Sequence, residues 1–130
     1  MHDLGKVKID INIINKPAVL IDAKMQEMRR HPQYGYGILN QPHQLSEECK
    51  KIVLQHHERE NGQGYPGRLI GNEIHLYSRI CSLADVFDAL ISERPYKQKL
   101  NPFDALKLMR EELLDHFHKE IFERFVLLFK

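Results

Sequence analysis

The segment from Ile74 to Ile91 constrains the chain most. Its apolar residues Leu76, Ile80, Leu83, Ala84, Phe87, Leu90 and Ile91 recur at intervals of one, three and four positions. A half-buried strand would alternate them every two, so the spacing predicts one long amphipathic helix with a broad apolar stripe. Such a helix needs other elements to cover that stripe. The same helix carries Asp85 and Asp88, three positions apart and therefore on one face. That face borders the stripe, where a carboxylate is costly unless it is paired or binds a metal.

The remaining segments read as shorter helices cut by proline and glycine. Ile9, Ile11, Ile13 and Ile14 alternate only in part, and residues 1–17 read mainly as loop, ending at Lys16-Pro17. Asp22 is an N-cap for a helix from Ala23 to about Arg30. Pro32 restarts a helix that runs to about Leu39. Ser46 opens the next, with Glu47 and Glu48 favourably placed in its first turn. Its inner face is Cys49, Ile52, Val53 and position 56, which is a histidine. Residues 61–67, Asn-Gly-Gln-Gly-Tyr-Pro-Gly, form a loop. Asn101-Pro102 caps a helix expected to bury Phe103, Leu106, Met109 and Leu113. A last helix holds Ile121, Phe122, Phe125, Val126 and Phe129. Met25, Met28 and Met109 are core residues by spacing. The expectation is one all-α domain, residues 1–130, with helices packed around a single core.

Composition removes several functions. The 130 residues carry 19 Lys plus Arg against 18 Asp plus Glu, a formal net charge of +1. That leaves no surplus charge for gripping a nucleic-acid polymer or an anionic membrane, so any phosphate binding must be local. The longest apolar run, Phe125 to Phe129, is far short of a membrane span. No apolar signal core follows Met1, so the expected compartment is the cytoplasm. Cys49 and Cys81 lie in helix-like apolar patterns and read as small buried thiols rather than a disulfide.

Eight histidines are the unusual count. His2-Asp3 joins an imidazole to a carboxylate. His56-His57 is more telling, because neighbouring helical residues point about 100° apart. The pair can reach two sides of one site or two different ions. Imidazole with carboxylate suits Fe, Mn, Zn or Ni better than Mg or Ca. A bridging carboxylate could hold two ions roughly 3.5–4 Å apart, the spacing used for displacement at phosphorus.

Five motifs in order make the chain resemble the HD-GYP domains, the bacterial branch of the HD phosphohydrolases. They are His2-Asp3-Leu4-Gly5-Lys6, His31-Pro32-Gln33-Tyr34-Gly35, His56-His57-Glu58 through Gly64-Tyr65-Pro66, Ala84-Asp85-Val86-Phe87-Asp88, and Arg94-Pro95-Tyr96-Lys97. The resemblance implies a helical HD fold with two or three divalent metal ions, iron or manganese first, zinc or nickel next. It implies hydrolysis of cyclic di-GMP to linear pGpG or to GMP. Carried over by motif, the metal ligands are His2, Asp3, His31, His56, His57 and Asp85, with Asp3 bridging. Asp3 and Lys6 would serve catalysis. Lys6, Asp88, Arg94 and Lys97 match positions that contact the dinucleotide, and Tyr65 belongs to the signature loop beside it.

Some positions keep a plainer reading. Asp88 pairs with Arg94 or contacts substrate. Lys6 and Lys97 are solvated lysines unless the motif claims them. Glu58 orients a ligand histidine or is merely exposed. His43, His75, His116 and His118 are surface or structural. The family has Asp where this chain has Asn61, a position not assigned to metal. It also has a helix or two before the His-Asp pair that add a histidine and, in trinuclear members, an acidic residue. Here the pair begins at residue 2, so the domain reads as N-terminally truncated, with a regulatory domain expected upstream. A missing helix would expose apolar surface and favour a homodimer. The alternatives are a cyclic di-GMP receptor or interaction module without catalysis, and an HD phosphohydrolase acting on another nucleotide.

Overall fold

The computed structural model describes residues 1–14, 22–40, 45–95 and 97–130. Among these it forms seven α-helices: α1 (Ile11–Ile14), α2 (Asp22–Met28), α3 (His31–Leu39), α4 (Glu47–Gln55), α5 (Leu76–Ile91), α6 (Pro102–Glu112) and α7 (Lys119–Leu127). Short 3-10 helices lie at Leu4–Lys8, Gly71–Glu73 and Leu114–His116. No strand ladder occurs among the described residues, and isolated bridges join Asn61 to Ile70 and Arg94 to Lys97. The expected all-α architecture holds.

Helix starts follow the side chains that satisfy their free N–H groups. Ser46 Oγ accepts from the Cys49 N–H, and Glu47 and Glu48 follow in the first turn. Asn101 Oδ1 accepts from the Asp104 N–H at 2.9 Å, with Pro102 at the first helical position. Helix α5 is capped by His75, whose Nδ1 accepts from the Tyr77 N–H at 3.3 Å. Near the N-terminus, Asp10 Oδ1 accepts from the Asn12 N–H at 2.8 Å and starts a single helical turn. Residues 1–14 are therefore mostly short helix, where loop was expected. A local cap did what the isoleucine pattern did not show. Lys16 and Pro17 lie outside the described residues.

The main core joins Leu83, Phe87 and Leu90 of α5 to Ala105 and Met109 of α6, and to Phe117 and Phe122. Each large side chain so buried contributes about 1.5–3 kcal/mol. Several expected core residues behave otherwise. Phe103 is 75% exposed, because Ala105, two positions on, faces inward and a two-residue step turns a helix by about 200°. Leu106 and Leu113 are half-buried, as are Met25 and Met28, whereas Met109 is fully buried. Leu76 and Ile80 are about half exposed and, with Leu83, Ile121, Phe125 and Leu128, wall an open apolar groove of 590 Å³. Helix α7 ends at Leu127, and Phe129 beyond it is half exposed while its ring packs 4.9 Å from Phe87. Cys49 and Cys81 are free and half-buried. No described helix is long and apolar enough to cross a membrane.

The N-terminal half packs in sequence against α5: the Leu4–Lys8 turn on α3, α3 on α4, and α4 on α5. Two glycines make the first of these contacts possible. A Cβ on Gly5 would stand 1.7 Å from the His31 carbonyl oxygen and 2.5 Å from the Gly35 nitrogen. A Cβ on Gly35 would meet the Val53 side chain at 2.6 Å. The backbones therefore touch, which delivers His2 and Asp3 to the start of α3. Gly37, on the open side of α3, has nothing within 4 Å of its Cβ position. Gly5→Ala should cost at least about 1–3 kcal/mol by overpacking. It should lower the thermal midpoint by about 5–15 °C in differential scanning fluorimetry. Gly37→Ala should leave the midpoint unchanged or raise it slightly.

Candidate metal centre

Four elements bring their histidines and acids to one place. His2 and Asp3 come from the N-terminal turn, His31 from the first residue of α3, His56 and His57 from the end of α4, and Asp85 from the middle of α5. One ligand atom from each of Asp3, His31, His56 and His57 falls within a set no more than 4.8 Å across. His31 and His56 are each 1% exposed. The apolar face predicted for α4 thus ends in a buried imidazole.

Proton placement in this cluster follows from the backbone. His31 Nδ1 lies 2.8 Å from the Met28 carbonyl oxygen, and His56 Nδ1 lies 2.9 Å from that of Val53. A carbonyl only accepts, so each Nδ1 carries the proton and donates it. The two Nε2 atoms are then bare in the neutral rings, yet they face each other at 3.1 Å. Asp3 Oδ1 stands 3.3 Å from one and 3.6 Å from the other. Three acceptor atoms so close are held together by a shared cation, either a proton that one Nε2 donates to Asp3 or to the other ring, or a metal ion. His2 Nε2 is buried, lies 3.4 Å from Asp85 Oδ1 and 3.5 Å from Asp3 Oδ2, and makes no hydrogen bond among the described residues. This buried nitrogen without a partner is a donor atom that fits a metal ion. Neutral imidazoles and hard carboxylates suit a divalent ion of the iron, manganese or zinc type. The backbone carbonyls orient the two ligating rings from behind.

Charge states agree. Burial pushes the His57 imidazolium down to about 2, assisted by His56 and His31, so the ring stays neutral and able to ligate near neutral pH. Burial alone would raise the Asp3 carboxyl, but contacts with His31, His56 and Lys6 outweigh it and hold the group well below the usual carboxylate range. Lys6 Nζ sits 3.0 Å from Asp3 Oδ2. Tyr65 stacks on His57 with ring centres 4.8 Å apart, and burial pushes its phenol up to about 12. It stays an O–H donor.

The other expected site residues lie apart. Asp88 is exposed one turn along α5, with its Oδ1 3.4 Å from the Ser92 hydroxyl. It makes no ion pair with Arg94 among the described residues. Arg94 and Lys97 are exposed and tied to each other through their backbones, beyond the end of α5. Neither touches the cluster in the described contacts, and Tyr96 lies outside the described residues. Glu58 is neither exposed nor bonded to a ligand histidine: it is buried and accepts from the N–H groups of Gly67 and Leu69. His116, read as surface or structural, borders a small cavity of 50 Å³ beside His56, His57 and Asp85. Nothing local in the sequence signals that approach across 59 positions. His43 lies outside the described residues.

Residues 1–121 match the model of the HD domain family. The cyclic di-GMP phosphodiesterase PA4108 of Pseudomonas aeruginosa is 40% identical over 97% of this chain. The cyclic di-GMP phosphodiesterase response regulator RpfG of Xanthomonas campestris is 44% identical over 75% of it. The 3'3'-cGAMP-specific phosphodiesterase 2 of Vibrio cholerae is 40% identical over 95%. The chain spans 30%, 26% and 24% of those proteins, respectively. Among solved structures, Bd1817, a HDG"Y"P protein from Bdellovibrio bacteriovorus, shares the fold with a TM-score of 0.73 at 19% identity, covering 94% of this chain and 38% of its own.

Manganese(II) or iron(II) at about 100 times its dissociation constant should stabilise the chain by about 2.7 kcal/mol, seen as a raised thermal midpoint that chelation reverses. His56→Ala should weaken metal binding at least about 100-fold, since loss of an outer-shell partner alone costs 10–100-fold. Unchanged metal content by elemental analysis in that variant would overturn the ligand assignment.

Proposed function

Because this chain belongs to the HD domain family, we propose that it is the catalytic part of a metal-dependent phosphodiesterase of the HD-GYP branch, hydrolysing cyclic di-GMP to pGpG or GMP. The observation that carries this reading is the facing pair of bare Nε2 atoms beside Asp3. It is a cage for cations built at the centre of a fold shared with cyclic dinucleotide phosphodiesterases. His2, Asp3, His31, His56, His57 and Asp85 would hold two or three ions, iron or manganese ahead of zinc or nickel. Bound there, such ions would supply a nucleophilic hydroxide near neutral pH and charge stabilisation at the phosphoryl oxygens.

The chain's own residues supply the rest. Lys6, half-buried and held at Asp3, offers a compact positive charge to a phosphate oxygen. Tyr65, protonated across the working range, donates its O–H and gives an apolar ring wall. Arg94 and Lys97 bind phosphate from the loop after α5, and Asp88 accepts from a guanine edge. Water adds across the diester: its oxygen bonds to phosphorus as the ester oxygen departs, and that oxygen takes a proton to become a hydroxyl. The partial span relative to known relatives supports an upstream regulatory domain. The open groove on α5 and α7 supports a homodimer, and the working compartment is the cytoplasm.

A second substrate has specific support. Similarity at 40% to a 3'3'-cGAMP-specific enzyme favours a neighbouring cyclic purine dinucleotide. A chromatographic assay with the metal-loaded chain and both dinucleotides separates the two. The expected result is conversion of cyclic di-GMP to a linear product, with cGAMP cleaved more slowly. Lys6→Ala should reduce kcat/KM by about 10–100-fold, the loss of one charge-assisted phosphate contact. Binding of cyclic di-GMP without turnover under any of the four metals would replace the enzyme with a receptor.

A further inference from the structure

Two observations outside the metal cluster converge on Arg68. Its backbone sits at φ +53, in the left-handed region that residues other than glycine rarely adopt. The contacts around it explain how that conformation is held. Glu58 is 2% exposed, and its carboxylate accepts the Gly67 N–H at 2.5 Å and the Leu69 N–H at 2.9 Å. One buried carboxylate grips the residues on either side of Arg68. Glycine would make the same turn without strain. A long cationic side chain at a clamped, strained position therefore points to a task for that side chain.

Arg68 lines a hollow of 250 Å³ together with Arg29, Gln63, Tyr65, Gly62 and Gly64. No carboxylate is among those residues. Ion pairs of described arginines involve Arg30, Arg79 and Arg124, leaving Arg29 and Arg68 outside them. The Arg29 guanidinium carbon lies 5.5 Å from the centre of the Tyr65 ring, and that ring stacks on His57. One aromatic ring separates this basic hollow from the metal ligands.

We infer that the hollow is a phosphate subsite, in which Arg68 and Arg29 take the second phosphate of a dinucleotide whose scissile diester lies at the histidine cluster. The inference rests on the phosphodiesterase reading above and adds a recognition site to it. Guanidinium groups match phosphate oxygens two at a time, and the glycine backbone at 62 and 64 permits close approach. In the cyclic substrate that group is the diester that is not cleaved, and in the linear product it persists as the internal diester, while the new terminal phosphate is the one left at the histidine cluster. The subsite therefore meets a monoanionic diester in both ligands.

The test uses equilibrium binding to the full chain in EDTA, by titration calorimetry, with GpG, whose one phosphate is the internal diester, and with its methylphosphonate-linked analogue, whose linkage is uncharged. Wild type should bind GpG about tenfold more tightly than the uncharged analogue. Arg68→Gly, which suits the backbone while deleting the cation, should erase that preference, and Arg68→Lys should restore part of it. Glu58→Gln should follow Arg68→Gly while retaining its helical circular dichroism. Cyclic di-GMP and pGpG, which both present that diester, should lose affinity in Arg68→Gly to a similar extent. A preference for GpG over the uncharged analogue that survives Arg68→Gly, or an equal loss for the two, overturns the subsite. Failure of the metal-loaded chain to hydrolyse any dinucleotide would sink the phosphodiesterase reading instead, without altering this comparison.

Discussion

The convergence of two imidazole nitrogens and a carboxylate around Asp3 is the constraint on which this molecule turns. Two imidazoles donate their Nδ1–H groups to helix-end carbonyls, which turns their Nε2 atoms toward each other, 3.1 Å apart. A carboxylate oxygen sits between 3.3 and 3.6 Å from both. Donor atoms gathered this closely suit a shared cation, and only a well-packed frame can hold them in place. The frame is visible: His31 begins α3, His56 ends α4, and both are walled in by the contact of α3 with α4 and of α4 with α5. The main core around Leu83, Phe87 and Met109 anchors α5, and with it Asp85.

The glycines decide whether the two halves of the cluster meet. His2 and Asp3 immediately precede a five-residue 3-10 helix too short to hold its own position. They reach His31 because Gly5 and Gly35 let backbone lie on backbone. Metal affinity in this chain therefore depends on residues that touch no metal, through distances of a few tenths of an ångström.

Much of the helical frame was legible in the sequence. Apolar spacing located α5, and Ser46 and Asn101 announced their helices because capping is local chemistry. The HD-GYP motifs named the residues that meet in the cluster. What could not be read depended on tertiary approach. The Asp10 cap turned an expected loop into a helical turn. Phe103 is large and apolar yet points outward, while small Ala105 occupies the core, since helix phase and not side-chain size chose between them. Glu58 was ambiguous because its partners, Gly67 and Leu69, lie nine and eleven positions away across a loop. Arg29 and Arg68 carry no motif signal, and their convergence on Tyr65 is a property of that loop's folded path.

On the proposed reading, a net charge of +1 would also shape how an anionic dinucleotide is found. A strongly basic protein would attract every polyanion through a long-range field that salt screens over about 8–10 Å. This chain instead places single cations locally: Lys6 at Asp3, and Arg29 and Arg68 in a hollow beside Tyr65. Their pull is short-ranged and depends on geometry, so a ligand gains only if its phosphates are spaced to meet them together. Selectivity for a small molecule with two phosphates would then come from separation of charges across the Tyr65 ring rather than from total charge. A long nucleic acid, which offers many phosphates but no compact pair free to enter a hollow of 250 Å³, gains little from the same residues.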